Sequence, residues 1–119
     1  MIASAYTIEE ISEKLEAAYY SFIDDKITDC EFALGLVLSD LEKIAKKYPQ
    51  DEEMRNYLKT FSAFYEGRKE MEREEAKKKL SELLSDICRK VHWRKLGMAS
   101  GKELPFKDFR SLREKTLGR

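Results

Sequence analysis

Apolar residues in this chain return every three or four positions almost from end to end, and only five glycines and two prolines interrupt them. A repeat near 3.6 places such positions along one face of an α-helix. Long stretches without Gly or Pro leave few places for the tight turns that a set of short strands needs. The pattern predicts an all-α fold.

The first stripe is Ile8, Ile11, Leu15, Ala18 or Tyr19, and Phe22, and Thr7-Ile8-Glu9-Glu10 reads as a capping box that starts its helix at Thr7. Asp24-Asp25-Lys26 reads as a turn, and Thr28-Asp29-Cys30-Glu31 as a second capping box. The helix after it is expected to bury Phe32, Leu36 or Val37, Leu41, Ile44 and Tyr48, and to end at Pro49. A third helix opens near Gln50 or Asp51, with Glu52 and Glu53 favourable to its dipole. Its stripe is Met54, Tyr57 or Leu58, Phe61, and Phe64 or Tyr65, with Gly67 suited to a C-terminal cap.

A fourth helix is expected over about 69–95. Its opening run, 68–79, has only Met71 and Ala76 as apolar residues, and i,i+4 pairs such as Glu74–Lys78 and Glu75–Lys79 support it as a solvated helix. Leu80, Leu83, Leu84, Ile87 and Val91 then resume the stripe. Beyond Lys95, the residues Gly97, Ser100 and Gly101 loosen the backbone. Pro105 can open a short last helix carrying Phe106, Phe109 and Leu112 on one side. The expected architecture is an antiparallel four-helix bundle over 1–95 with a short C-terminal helical appendage in 96–119, packed on the bundle or on a partner. No internal repeat accompanies it: the stretch 45–76 lacks the small and aromatic register of a tetratricopeptide unit and has no second copy.

A chain of 119 residues can bury one core without disulfides or metals. Charged residues make up 39% of it, against roughly 25% in an average globular protein. Asn56 and Gln50 are the only side-chain amides, a pattern expected of proteins from hot environments and shared in part by any charged helical bundle. No run approaches the ~20 apolar residues of a membrane span. The acidic Glu9 and Glu10 follow an N-terminus without basic residues, unlike a signal peptide, so a cytoplasmic protein without membrane partners is expected. Cys30 and Cys88 have neither zinc-like nor redox spacing and are expected to be small apolar side chains, with a disulfide between them left open.

The machinery of several enzyme classes is missing. His92 is the one histidine, and it lies among Arg89, Lys90, Arg94 and Lys95 with no adjacent carboxylate to orient it as a general base. A di-iron bundle needs Glu-x-x-His on two helices, and position 89, three before His92, is arginine. All-α nucleotide pyrophosphatases pair Glu-x-x-Glu with Glu-x-x-Asp. Glu10-x-x-Glu13-x-x-Glu16 supplies the first half, but no aspartate follows a glutamate at that spacing. A helical ribonuclease with Arg-x4–6-His fails because Ser85, Asp86 and Ile87 occupy the required positions. Gly97 and Gly101 precede no Lys-Ser or Lys-Thr, so no phosphate loop is present. Asp24, Asp25, Asp29 and Glu31 are accounted for by a turn and a helix N-terminus rather than a cation site. No cofactor, metal or enzymatic activity is expected.

Charge supplies the positive signal. Residues 1–88 hold 13 Lys and Arg against 20 Asp and Glu, and residues 89–119 hold 10 against 3, a swing in net charge from −7 to +7. Arg89-Lys90-Val91-His92-Trp93-Arg94-Lys95 surrounds the only tryptophan with four cations, a mixture that suits phosphate contact with base stacking. The same cations also suit a helix C-terminus, or a fold-back of the basic segment on the acidic body. The expected site comprises Arg89, Lys90, His92, Trp93, Arg94 and Lys95 together with Phe106, Lys107, Phe109, Arg110 and Arg113. The expected function is a non-catalytic binding or adaptor module, a small subunit that meets a protein partner or a second copy through its basic C-terminal segment. The alternative is an accessory protein for RNA or single-stranded DNA.

Overall fold

The stripes fold as four helices in the computed structural model, which describes residues 1–99, with side chains as far as Gly97. They are α1 (Ala5–Ile23), α2 (Ile27–Lys47), α3 (Glu52–Gly67) and α4 (Arg73–Ala99), with a 3-10 turn, Arg68–Glu70, ahead of α4. No strand occurs among the described residues. α1 packs on α2 and α4, and α2 on α3. Tyr57 closes the ring by donating its hydroxyl from α3 to the Leu83 carbonyl of α4 at 2.6 Å. The short connections make successive helices antiparallel, so the starts of α1 and α3 share one end of the bundle with the finishes of α2 and α4.

The core follows the predicted phase in three helices. α1 buries Ile8, Ile11, Leu15 and Ala18, with Tyr19 and Phe22 half-buried against them. α3 buries Met54, Tyr57, Phe61 and Phe64, and α4 buries Ala76, Leu80, Leu83, Ile87 and Val91. Leu84 is only half-buried at its margin.

α2 departs from expectation only in its first half, since Val37, Leu41 and Ile44 are buried as expected. Its buried face is Cys30, Leu34, Val37, Leu41 and Ile44, while Phe32 is 70% and Leu36 38% exposed. Both sets have helical spacing, and packing on α1 and α3 selects the first. Cys30 and Cys88 are both free thiols, one buried and one exposed. Burial first, then the neighbouring Glu31, pushes the Cys30 thiol up, so it packs as an apolar group.

The helix ends also differ from the expected caps. α1 starts at Ala5 because Ser4, not Thr7, is its cap: the Ser4 hydroxyl accepts from the Thr7 amide at 3.2 Å. Burial of Ala3 and Ala5 carries the helix that far upstream. α2 starts at Ile27, and its N-cap Lys26 makes no side-chain capping bond, so Thr28 lies inside the first turn. Asp25, in the turn before it, has φ 60°. Asp51 caps α3 by accepting from the Met54 amide.

Gly67 has φ −93° and no left-handed cap. The chain leaves α3 through the 3-10 turn instead, and extended Met71 (φ −88°, ψ 145°) breaks the charged run before α4. The half-buried Met71 side chain packs on the core, which holds that break in place. At its far end α4 runs through Gly97 to Ala99, past the Lys95 boundary.

Candidate interaction surface

α4 carries the basic cluster past the end of its apolar stripe, and each of the four cations meets a carboxylate of the bundle. Arg94 is three residues after Val91, which keeps it in phase with the buried face. Its guanidinium donates to Asp51 through both terminal nitrogens, at 2.9 and 3.0 Å. It also donates to the Ala3 carbonyl at 2.6 Å and to Glu53 at 2.8 Å. A planar guanidinium matches a carboxylate in this two-point fashion. Asp51 also accepts the Ala3 amide at 3.0 Å and the Met54 amide at 3.3 Å. The residue before α1, the start of α3 and the end of α4 are thus tied at one point.

Burial and pairing compete at this clamp. The Asp51 side chain is 1% exposed and that of Arg94 10%. Burial alone raises the Asp51 carboxyl, but the Arg94 hydrogen bonds and charge, with the Ala3 and Met54 amides, outweigh it and hold the carboxyl below its usual range. Burial opposes the Arg94 charge, and Asp51 and Glu53 more than restore it.

The remaining cations lie nearer the surface. Arg89 and Lys90 both pair with Asp86, at 3.2 and 3.1 Å, and the Lys90 ammonium lies over the Tyr57 ring. Lys95 pairs with Glu9 at 2.7 Å and lies near the Tyr6 ring. His92 is exposed and Trp93 half-buried, their rings edge-on at 5.2 Å. The cluster is therefore brought together in sequence but divided in space. The cations of 89–95 remain on α4 and are paired with carboxylates of α4, α3 and α1. Phe106, Lys107, Phe109, Arg110 and Arg113, with Pro105 and Leu112, lie outside the described residues.

The opposite end of the bundle holds a second clamp. Arg68 donates to Glu31 through Nε and Nη2, at 2.6 Å for the latter, and also to the Tyr65 carbonyl. Its guanidinium stacks over the Tyr65 ring at 3.8 Å. The hydrogen bond from Arg68 draws the Glu31 carboxyl below its usual range, against a smaller effect of burial. Arg73 pairs with Asp25 at 2.7 Å and donates to the carbonyls of Phe22 and Ile23 at the end of α1. Asp25 and Glu31 are therefore engaged by arginines. Among the described residues no three His, Cys, Asp or Glu side chains gather as a metal site.

Neither clamp was foreseen from sequence, although a signal was present. Arg94 follows Val91 by three, Asp51 precedes Met54 by three, and Arg68 follows Phe64 by four. Each extends an apolar stripe by one step, which is where a charged group meets the end of a neighbouring helix.

The remaining features are shallow. A groove of about 300 Å³ is lined by Tyr19 of α1 and by Glu74, Lys77, Lys78, Ser81 and Glu82 of α4. Every buried side-chain nitrogen or oxygen among the described residues has a hydrogen-bond partner. No described helix is long and apolar enough to cross a membrane. Phe32 and Leu36, one turn apart on α2, expose two hydrocarbon side chains together. Comparison with models of known protein families, with curated proteins and with solved structures finds no match.

Proposed function

We propose that this chain is a non-catalytic helical interaction module, a small subunit or adaptor of the cytoplasm, in which the bundle is scaffold and the segment after α4 engages a protein partner. One observation carries the reading: the bundle absorbs the cations of 89–95. Once Asp86, Asp51, Glu53 and Glu9 have taken them up, the surplus positive charge falls to 100–119. That stretch has six Lys and Arg against three Asp and Glu, while 1–99 has 17 against 20. Phe106, Phe109 and Leu112 share it with Lys107, Arg110 and Arg113. An apolar row with polar neighbours is what a helix brings to a groove on another protein. The alternative of nucleic acid loses Arg94, the deepest of the four cations, and keeps the cations beyond Gly101.

The test uses full-length protein as bait in lysate with and without nuclease, alongside two triple variants. Phe106→Ser, Phe109→Ser and Leu112→Ser together should abolish capture of the partner. Lys107→Gln, Arg110→Gln and Arg113→Gln together should leave most of it, and nuclease should change nothing. Capture that disappears with nuclease, and weakens steeply with salt until the charge variant removes that dependence, would assign the segment to nucleic acid instead. Capture indifferent to both variants would remove the segment from the site.

A further inference from the structure

We propose that the outer face of α2 pairs antiparallel with the same face of a second copy of this chain, about a twofold axis that lays Phe32 of each copy on Leu36 of the other. Phe32 is 70% exposed, more than any other large apolar residue described except Met1, and Leu36, one turn further on, is 38% exposed. Neither belongs to the core. Both stand on the crest of α2, turned away from Cys30, Leu34, Val37 and Leu41, which pack toward α1 and α3. Steps of three and four residues carry the same face from Asp29 through Phe32, Leu36 and Ser39 to Lys43 and Lys47. Asp29, Lys43 and Lys47 are exposed, and Ser39 is half-buried.

The order of charges along this row selects the occupant. It is acidic at its start, apolar in its middle and basic at its end. Among the described residues neither Asp29 nor Lys43 takes part in an ion pair. The carboxylates that flank the row, Glu31 and Asp40, are already engaged by Arg68 and Lys14. A twofold contact presents one patch to itself, so that each residue meets its counterpart's opposite number. Reversing the row therefore sets the acidic end of each copy on the basic end of the other.

The spacing fits that arrangement. With Phe32 level with Leu36 of the other copy, Asp29 lies about 6 Å along the helix from the other copy's Lys43, at 1.5 Å per residue. A lysine side chain covers that span. The two Asp29 residues then stand about 15 Å apart along the axis and the two Lys43 residues about 27 Å. A parallel pairing would instead set Asp29 on Asp29 and Lys43 on Lys43, and juxtaposed like charges disfavour it. Ser39 lies level with Asp29 of the other copy, where a short side chain lets the helices approach. The apolar contact is small, which places it with transient interfaces, so the dimer forms at high protein concentration. The pairing uses α2 alone and is independent of the function proposed for the segment after α4.

The experiment is sedimentation equilibrium of the full chain from about 10 µM to about 1 mM, the range in which a small interface fills. The parent should pass from monomer toward dimer mass. Phe32→Ser with Leu36→Ser should stay at monomer mass throughout. Both positions lie outside the core, so unchanged circular dichroism is expected and checks the fold. Asp29→Lys and Lys43→Asp should each weaken the dimer about tenfold by setting like charges together. An equimolar mixture of these two variants should restore it, because opposite charges face one another again and both chains must be folded to pair. Monomer mass for the parent at every concentration overturns the proposal and leaves the face to a different protein. A dimer that survives Phe32→Ser with Leu36→Ser also overturns it, because the contact then lies elsewhere. So does a dimer indifferent to both charge changes, or one that the mixture does not restore.

Discussion

Asp51 is the residue on which most of one bundle end depends. Its two oxygens accept from Arg94, Ala3 and Met54, so removing it leaves the guanidinium only Glu53 and the Ala3 carbonyl and uncaps a helix start at once. Breaking a buried pair from one side costs about 3–5 kcal/mol, and Asp51→Ala should lower stability by that amount in urea unfolding. The pH dependence follows in sign. The folded carboxyl lies below its ordinary value, so its stabilisation is complete above the unfolded pKa, about 3.9. It is lost as pH falls through the lower folded value. Glu31 adds a contribution of the same sign through Arg68. Stability should therefore fall below about pH 5, and Asp51→Asn should flatten that acid limb relative to the parent. An unchanged limb would mean that other carboxylates govern it.

Among the elements, α2 shows how two stripes on one helix are told apart. Leu34 is 2% exposed, whereas Phe32 points to solvent. Leu34→Ala should cost about 2–5 kcal/mol through the cavity it leaves. Leu80, 1% exposed on α4, should respond in the same range. The half-buried Leu84 should cost clearly less than Leu80, because its site opens to solvent. α3 and α4 are joined by the bond from the buried Tyr57 hydroxyl to the Leu83 carbonyl. Tyr57→Phe removes that bond while keeping the ring, and should lower stability by about 0.5–1.5 kcal/mol in thermal or denaturant unfolding.

At the scale of the whole molecule, every buried apolar residue among those described lies between Ala3 and Val91. The two arginine clamps likewise close within 1–99. A chain ending at Ala99 should therefore keep its helicity per residue and melt in one cooperative transition, measured by circular dichroism and calorimetry. A non-cooperative melt would make the C-terminal segment part of the core. The lost segment should show instead in the binding behaviour, because it holds the surplus positive charge.

The helical class, the number of main helices and the buried faces of α1, α3 and α4 were legible in the sequence. They follow from local spacing, since a stripe such as Ile8, Ile11, Leu15 and Ala18 has only one helical face to offer. The C-terminal site residues from Phe106 onward were legible as a pattern of charge and apolar spacing and lie outside the described residues. Tertiary structure decided the rest. On α2 the sequence already pointed to Leu41, Ile44 and one of Leu36 or Val37, and only contact with α1 and α3 selects Val37 over Leu36 and Cys30 with Leu34 over Phe32. The basic cluster reads as one patch because its members are consecutive, yet a helix points consecutive residues in different directions. Where Arg94 points, it meets Asp51, 43 residues away in the chain, and Arg68 meets Glu31 across 37. Local periodicity says which way a side chain faces; which charge awaits it there depends on how distant helices pack.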